Sequence, residues 1–198
     1  AGTGIQPVMM KTTDDKLVFW APVNVGATEI PTSVIDAILG IPDGTNVITQ
    51  SCGQLFQWGR KFGFENTNDE TYTNEQAFDG ATEETGYPKG EDAVADMIDG
   101  EWWAIGAGNN SVTKDWDSTN HLLTIAGAES DQKLILPAAG YRLGSTGTFG
   151  RQGSFGNCWS SSVPSGSVGA GTVYFNSATL NATSSNRANG FSVRCVQE

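Results

Sequence analysis

Large apolar residues recur at short intervals in the last third of the chain: Tyr141, Phe149, Phe155, Trp159, Tyr174, Phe175, Leu180 and Phe191. Glycine, serine, asparagine and threonine fill the intervals. So polar a segment would stay disordered without such anchors. With them it predicts a folded surface of short strands and turns that displays small polar side chains. The clearest strand is Thr172-Val173-Tyr174-Phe175-Asn176, with Val173 and Phe175 inward and Thr172, Tyr174 and Asn176 outward. A last strand over residues 191–196 would place Phe191, Val193 and Cys195 on one face.

Upstream, residues 16–25 read as a strand that Pro22 ends or kinks. Val47-Ile48-Thr49 is strand-like, and the aromatic run over 55–62 suits the edge of a core. Two helices are predicted. Residues 34–40 follow a capping serine, Ser33, and stop at Gly40. Residues 91–98 carry acids in the first turn, where the helix dipole favours them, and stop at Gly100. Residues 65–90 read as a long polar surface loop. No linker composition divides the chain, so residues 1–198 are expected to form one domain. The expected class is α+β, with two short helices, a small twisted antiparallel sheet and extensive loops.

Charge sharpens this division. The net charge of the 198 residues is −11, but residues 1–133 hold seven basic and 21 acidic side chains, and residues 134–198 hold four and one. An acidic body argues against a nucleic-acid binder, which needs a basic stripe along the phosphates. A weakly basic, uncharged-polar segment on an acidic body fits a local binding face. No apolar run is long enough to span a bilayer, so no membrane insertion is expected. Ala1-Gly2-Thr3-Gly4 has neither the charged start nor the apolar stretch of a signal peptide, in keeping with a mature or trimmed chain.

The chemistry-bearing residues are few. Cys52, Cys158 and Cys195 permit at most one intrachain disulfide, and their spacing fits no zinc pattern. Cys195 reads as half of a disulfide or as a buried thiol, with Cys52 the more plausible mate. Cys158 falls in a Gly/Asn turn on the displayed side. Ser160, Ser161 and Ser162 offer hydroxyls, but a serine triad needs a base and His121 is the only histidine. They read as turn and capping residues. The acidic stretch over 65–70 supplies hard oxygen atoms but lacks the glycine-bearing spacing of a calcium loop, so it reads as a solvated loop. No cofactor or metal is expected, and binding is expected rather than catalysis.

Three stretches form an ordered series: Leu136-Pro137-Ala138-Ala139-Gly140-Tyr141-Arg142, Gly156-Asn157-Cys158-Trp159-Ser160-Ser161-Ser162, and Arg187-Ala188-Asn189-Gly190-Phe191-Ser192-Val193-Arg194-Cys195-Val196. The series resembles the Fibrobacter-type major paralogous domain, abundant in surface proteins of gut bacteria. Phe19-Trp20-Ala21-Pro22-Val23-Asn24-Val25-Gly26-Ala27 and Phe56-Gln57-Trp58-Gly59-Arg60-Lys61 match its amino-terminal half. The family's Cys-Pro-x-Gly-Trp-Arg stretch is missing, which leaves its usual disulfide partner for Cys195 in question. The family is similar in fold to formylglycine-generating enzymes, which implies a C-type-lectin-like domain. Those enzymes hold their catalytic cysteines close in sequence. Cys158 and Cys195 are far apart here, so the activity does not carry over.

The carboxy-terminal segment also resembles the variable region of proteins diversified by diversity-generating retroelements, in which asparagine codons of a template become many residues. The variable positions of that pattern fall on Asn157, Cys158, Thr172, Tyr174, Asn176, Asn186 and Asn189. The ordinary alternative is a fixed adhesin whose turns carry these residues. Together the strand pattern and the resemblance nominate Asn157, Cys158, Val168, Thr172, Tyr174, Asn176, Thr179, Asn181, Asn186 and Asn189 as an outward, ligand-binding set. Tyr174 is its expected aromatic anchor. Arg187 and Arg194 are expected to hold loop carbonyls. The implied protein sits on a cell surface or a virion, outside the cell, and binds a protein or glycan on another surface.

Overall fold

The computed structural model describes residues 6–11, 16–34, 47–58, 63–64, 66, 114–126, 132–144, 147–160 and 169–197. Among these, strands dominate. The chain order is β1 (Val8–Lys11), β2 (Leu17–Trp20), α1 (Val47–Cys52), β3 (Lys114–Asp117), β4 (Leu122–Ala126), β5 (Lys133–Pro137), β6 (Tyr141–Arg142), β7 (Phe149–Gly150), β8 (Gly156–Trp159), β9 (Ala170–Phe175), β10 (Leu180–Ser185) and β11 (Val196–Gln197). They build three antiparallel sheets of three strands, ordered β1-β2-β11, β3-β4-β5 and β10-β9-β8, and the two-stranded pair β6-β7.

This overturns the expected α+β class with two helices. The only described helix is six residues long and begins where Val47-Ile48-Thr49 was expected to be a strand. Local β propensity is outweighed there by tertiary context. Gly53 stops the helix at a φ of 79°, and Cβ on this residue would press on the Val25 carbonyl and the Asn24 side chain. The Gln50 carbonyl accepts N–H bonds from Thr28 and Glu29, and the Ser51 hydroxyl donates to Glu29 Oε1 at 2.6 Å. Of the two expected helices, residues 91–98 and all but Val34 of residues 34–40 lie outside the described residues.

The main core lies where the three larger sheets meet. Val8, Met10, Val18 and Trp20 come from β1 and β2, Leu123, Ile125, Leu134 and Leu136 from β4 and β5, and Cys158, Phe175 and Leu180 from β8 to β10. A second cluster, Phe56, Trp58, Trp159, Ala170 and Phe191, covers the opposite face of the β10-β9-β8 sheet, and a small third one joins Val34, Cys52, Leu122 and Ala139. That sheet is therefore sandwiched at one end, and what remains open at the other end becomes the site.

The segment over 187–195 threads between these parts and bonds on both edges. Phe191 exchanges N–H···O bonds with Phe56 (2.9 and 2.7 Å), Gly190 with Arg142 (2.9 and 3.0 Å), and Trp159 N–H donates to Ser192 O at 2.9 Å. Val25 and Ala21 donate to the carbonyls of Val193 and Cys195. The expected strand over 191–196 is thus extended, but its partners change every residue or two. Only Val196–Gln197 joins a regular ladder, beside β2.

Arg194 is buried at the end of this segment. Its Nε donates to Asn24 Oδ1 at 2.8 Å and its two terminal nitrogens to the carbonyls of Ala21 and Ile135, each at 3.0 Å. Burial holds its pKa down to about 10 against the pull of Cys158 and Cys195, so the cation persists at neutral pH. Arg187 is fully buried too. It donates to Gly169 O at 3.2 Å and lies 4.7 Å from the Trp58 ring. Both arginines hold carbonyls.

Two predictions rest on this frame. A lysine ammonium is a point donor that cannot span acceptors set around a planar guanidinium, so Arg194→Lys is expected to lower stability by about 2–3 kcal/mol in chemical denaturation. In the β3–β4 turn, Asp117 accepts N–H bonds from Asn120 (main chain 2.9 Å, side chain 2.7 Å) and Thr119 (2.8 Å), which lower its pKa below the ordinary 3.8. A carboxylate with a depressed folded pKa supports the turn above the unfolded pKa and loses that support as pH falls through the folded one. The Thr119 and Asn120 amide shifts should therefore titrate with a midpoint below 3.8. A midpoint at or above that value would remove the Asp117 bonds from the turn.

Candidate functional site

The three strands β8, β9 and β10 place residues in cross-strand rows. Asn157 opposes Tyr174, and Tyr174 opposes Asn181; Trp159 opposes Thr172, and Thr172 opposes Thr183. Directly opposed residues share a face, so these six stand on one side. Cys158, Val173, Phe175 and Leu180 pack into the main core on the other. Gly156 is required for that packing, because a Cβ there would be driven into the Phe175 ring. The expected alternation of β9 is therefore correct in direction.

The shared face is split along the strands. At one end, the Trp159 ring lies 4.4 Å from the Phe191 ring and its Nε1–H donates to Phe56 O at 2.6 Å. Thr172 is caught beneath this cover, and its hydroxyl donates to Cys158 O at 2.9 Å. At the other end the face opens into a cleft of about 350 Å³. Asn157 and Tyr174 form the floor, with Thr172 at its covered end, Thr183, Ser184 and Ser185 of β10 line one flank, and Tyr141, Leu143, Asn189 and Phe191 the other. Arg151 and Phe155 complete the lining. Phe155 and Tyr174 rings lie 5.4 Å apart, and the Arg151 guanidinium stands 5.2 Å from the Phe155 ring centre. The lining groups are amide, hydroxyl, aromatic and guanidinium.

Four of the ten nominated residues meet at this cleft: Asn157, Thr172, Tyr174 and Asn189. Asn181 extends the row at the exposed edge. The remainder divide by the work they do. Asn176 closes the β9–β10 turn: its Oδ1 accepts from the N–H groups of Ala178 and Thr179 and from the Thr179 hydroxyl, each at 2.8 Å, and its Nδ2 donates to the Tyr174 hydroxyl at 2.7 Å. Asn186 caps the following turn through Ala188 N–H. Asn189 ties two loops, accepting from Gly144 N–H at 2.6 Å and donating to Ser185 Oγ at 3.0 Å.

Cys158 is a correction, since it faces the main core rather than the displayed side. Thr172 is a second one: it has the outward direction but only 1 % of its surface is exposed, because Trp159 and Phe191 roof it over. Val168 lies outside the described residues. Arg151, the flank of β10 and the cleft-lining role of Tyr141 and Phe155 were not nominated. The aromatic residues were visible only as anchors, and Arg151 gave no signal, since its role follows from a left-handed backbone at φ 67°.

Cysteine chemistry also differs from expectation. All three thiols are free. Cys195 is exposed and Cys52 buried, so neither the disulfide nor the buried reading of Cys195 holds. Burial pushes the Cys52 thiol up to about 12 and the Cys158 thiol up to about 11, the latter against the pull of Arg194. Of the acidic stretch over 65–70, only Asn66 is described. It is buried, donating to Ala139 O and accepting from Gln152 Nε2 at 2.9 Å. Among the described residues no three His, Cys, Asp or Glu side chains gather as metal ligands, and no helix is long and apolar enough to cross a membrane.

No family model matches the chain, and neither a curated protein nor a solved structure matches it.

Thiol labelling checks the inside and outside of this surface. At pH 8 a maleimide should modify Cys195 in the folded protein and reach Cys52 and Cys158 only after denaturation, because the thiolate is the reactive form. Rapid native labelling of Cys158 would turn β8 around.

Proposed function

We propose that the protein is a non-enzymatic receptor or adhesin, displayed on a cell surface or virion, that uses the open end of the β10-β9-β8 face to bind a protein or glycan on another surface. One observation carries the reading: Asn157, Tyr174 and Asn181 stand in a single row across three strands, and the first two line a cleft whose other walls are aromatic rings and small hydroxyls. A rigid aromatic flanked by amides suits recognition, since it presents contact area at little entropic cost and bonds that adapt to the partner. The sequence resemblance to variable proteins of diversity-generating retroelements supports one further step, that these positions are ones the gene diversifies.

The structural work of Asn176, Asn186 and Asn189 and the burial of Cys158 favour a second reading, a fixed adhesin. A diversified domain needs positions whose replacement leaves the fold alone, and those four do not qualify. Asn157 is as buried as Cys158, so diversification would then concentrate at Tyr174 and Asn181.

A displayed library separates these readings. Randomising Tyr174 and Asn181 together, with the buried Asn157 kept, should leave the melting transition within a few degrees for most members, because substitutions at exposed or half-exposed positions cost within about 0.5 kcal/mol each. It should also yield binders to arrayed glycans or proteins. Trp159→Ala in the same background should lose about 3–5 kcal/mol. General unfolding of the library would refute the receptor face. A library that folds but binds only as the parent sequence does would favour the fixed adhesin.

A further inference from the structure

Arg151 combines three properties that are seldom found together. Its backbone is left-handed at φ 67°, a conformation that costs a non-glycine residue of order 1 kcal/mol or more. The turn holds it there: the N–H groups of Ser154 and Phe155 both donate to its carbonyl at 3.0 Å. Its side chain is exposed, lines the cleft, and rests over the Phe155 ring with no ion-pair partner among the described residues. A glycine would relieve the backbone; the arginine instead places a guanidinium at the cleft.

The floor supplies a second, independent sign. Asn157 is only 6 % exposed, and its side-chain amide makes no hydrogen bond among the described residues. It lines the cleft, so the amide's donors and acceptor are open to whatever enters. Its amide atoms keep some exposure at the cleft, so they can bond water or an entering group. The hydroxyl of Thr183 stands on the flank, likewise without a side-chain bond among the described residues. Arg151 is the only charged side chain among the described lining residues.

We propose that the cleft is a subsite for a carboxylate-bearing pyranose, a sugar of the uronic-acid type at the end of a glycan. The Arg151 guanidinium forks onto the carboxylate. The apolar face of the ring lies against Phe155 and Tyr174. Vicinal hydroxyls, each both donor and acceptor, exchange bonds with the Asn157 amide and the Thr183 hydroxyl. The volume, about 350 Å³, lies at the lower end of the range for small-molecule sites, about 300–1,000 Å³, and suits one such residue rather than a chain of them. This deepens the receptor reading and rests on it. A peptide carboxylate shares the anion but not the run of hydroxyls, and it is kept as an outcome of the test.

The test compares methyl glucuronoside with methyl glucoside, which differ only in the carboxylate, by calorimetry and ligand-observed NMR on the intact chain. A dipeptide with a free carboxylate is the third probe. The glucuronoside should bind about tenfold or more tightly than the glucoside, and more tightly than the dipeptide. Arg151→Gln should erase the difference between the two sugars, Arg151→Lys should keep part of it, and Tyr174→Ala should weaken both sugars. Melting curves for each variant exclude unfolding as the cause. Equal affinity for the two sugars, no binding of either, an unaffected Arg151→Gln variant, or a dipeptide that binds as well as the glucuronoside would each overturn the assignment. If the randomised library yields binders while the glucuronoside does not bind, this inference fails alone. If the glucuronoside binds and the library unfolds, the receptor reading fails instead.

Discussion

A buried guanidinium that answers three neutral oxygens joins regions far apart in the sequence. Arg194 reaches Ala21 and Asn24 on one side and Ile135 on the other. A positive charge that deep is costly to leave bare, and here each of its three nitrogens meets an acceptor. Satisfying it requires the exit from β2, the strand β5 and the segment over 187–195 to meet at one point. Once they do, the backbone bonds from Val25 to Val193 and from Ala21 to Cys195 fall into place. The register of the whole segment is then set back to Phe191, whose ring meets Trp159 and closes one end of the β10-β9-β8 face.

The cleft is a remainder left by that closure. Trp159 and Phe191 roof the part of the face nearest Thr172, and the roof ends before Asn157 and Tyr174. Asn189 and Tyr141, placed by the paired bonds between Gly190 and Arg142, form a wall beyond it. The groups that line the cleft are thus positioned by the same aromatic packing that stabilises the sheet. Frame residues and cleft-lining residues therefore occupy alternate places on the same strands.

Much of this was legible in the residues. The alternation of β9 follows from Val173 and Phe175, and the period of two cannot be read in the wrong phase when both are bulky. The anchoring role of Trp159, Phe175 and Phe191 follows from their size amid glycine and serine. What was not legible depended on partners distant in sequence. Thr172 points outward, yet nothing local foretells that Phe191 will cover it. Cys158 sits among residues typical of turns, and only its pairing with Val173 shows it to be a core residue. Helix α1 has three β-branched residues among its six and would be a strand on propensity alone. Arg151 has no sequence signal because its significance lies in the sign of one backbone angle.

The turn closed by Asn176 has a consequence for how such a protein changes over generations. The side chain holds three groups of its own turn and steadies the hydroxyl of Tyr174. An altered codon there would not exchange one ligand contact for another. It would loosen the hairpin and free the neighbouring phenol to swing, so several positions would shift their reach at once. A single heritable change at this place thus acts on the geometry of the whole row, while a change at Asn181 acts on one spot. The same type of residue is a hinge pin at one position and an interchangeable tip at another, and selection would treat the two quite differently.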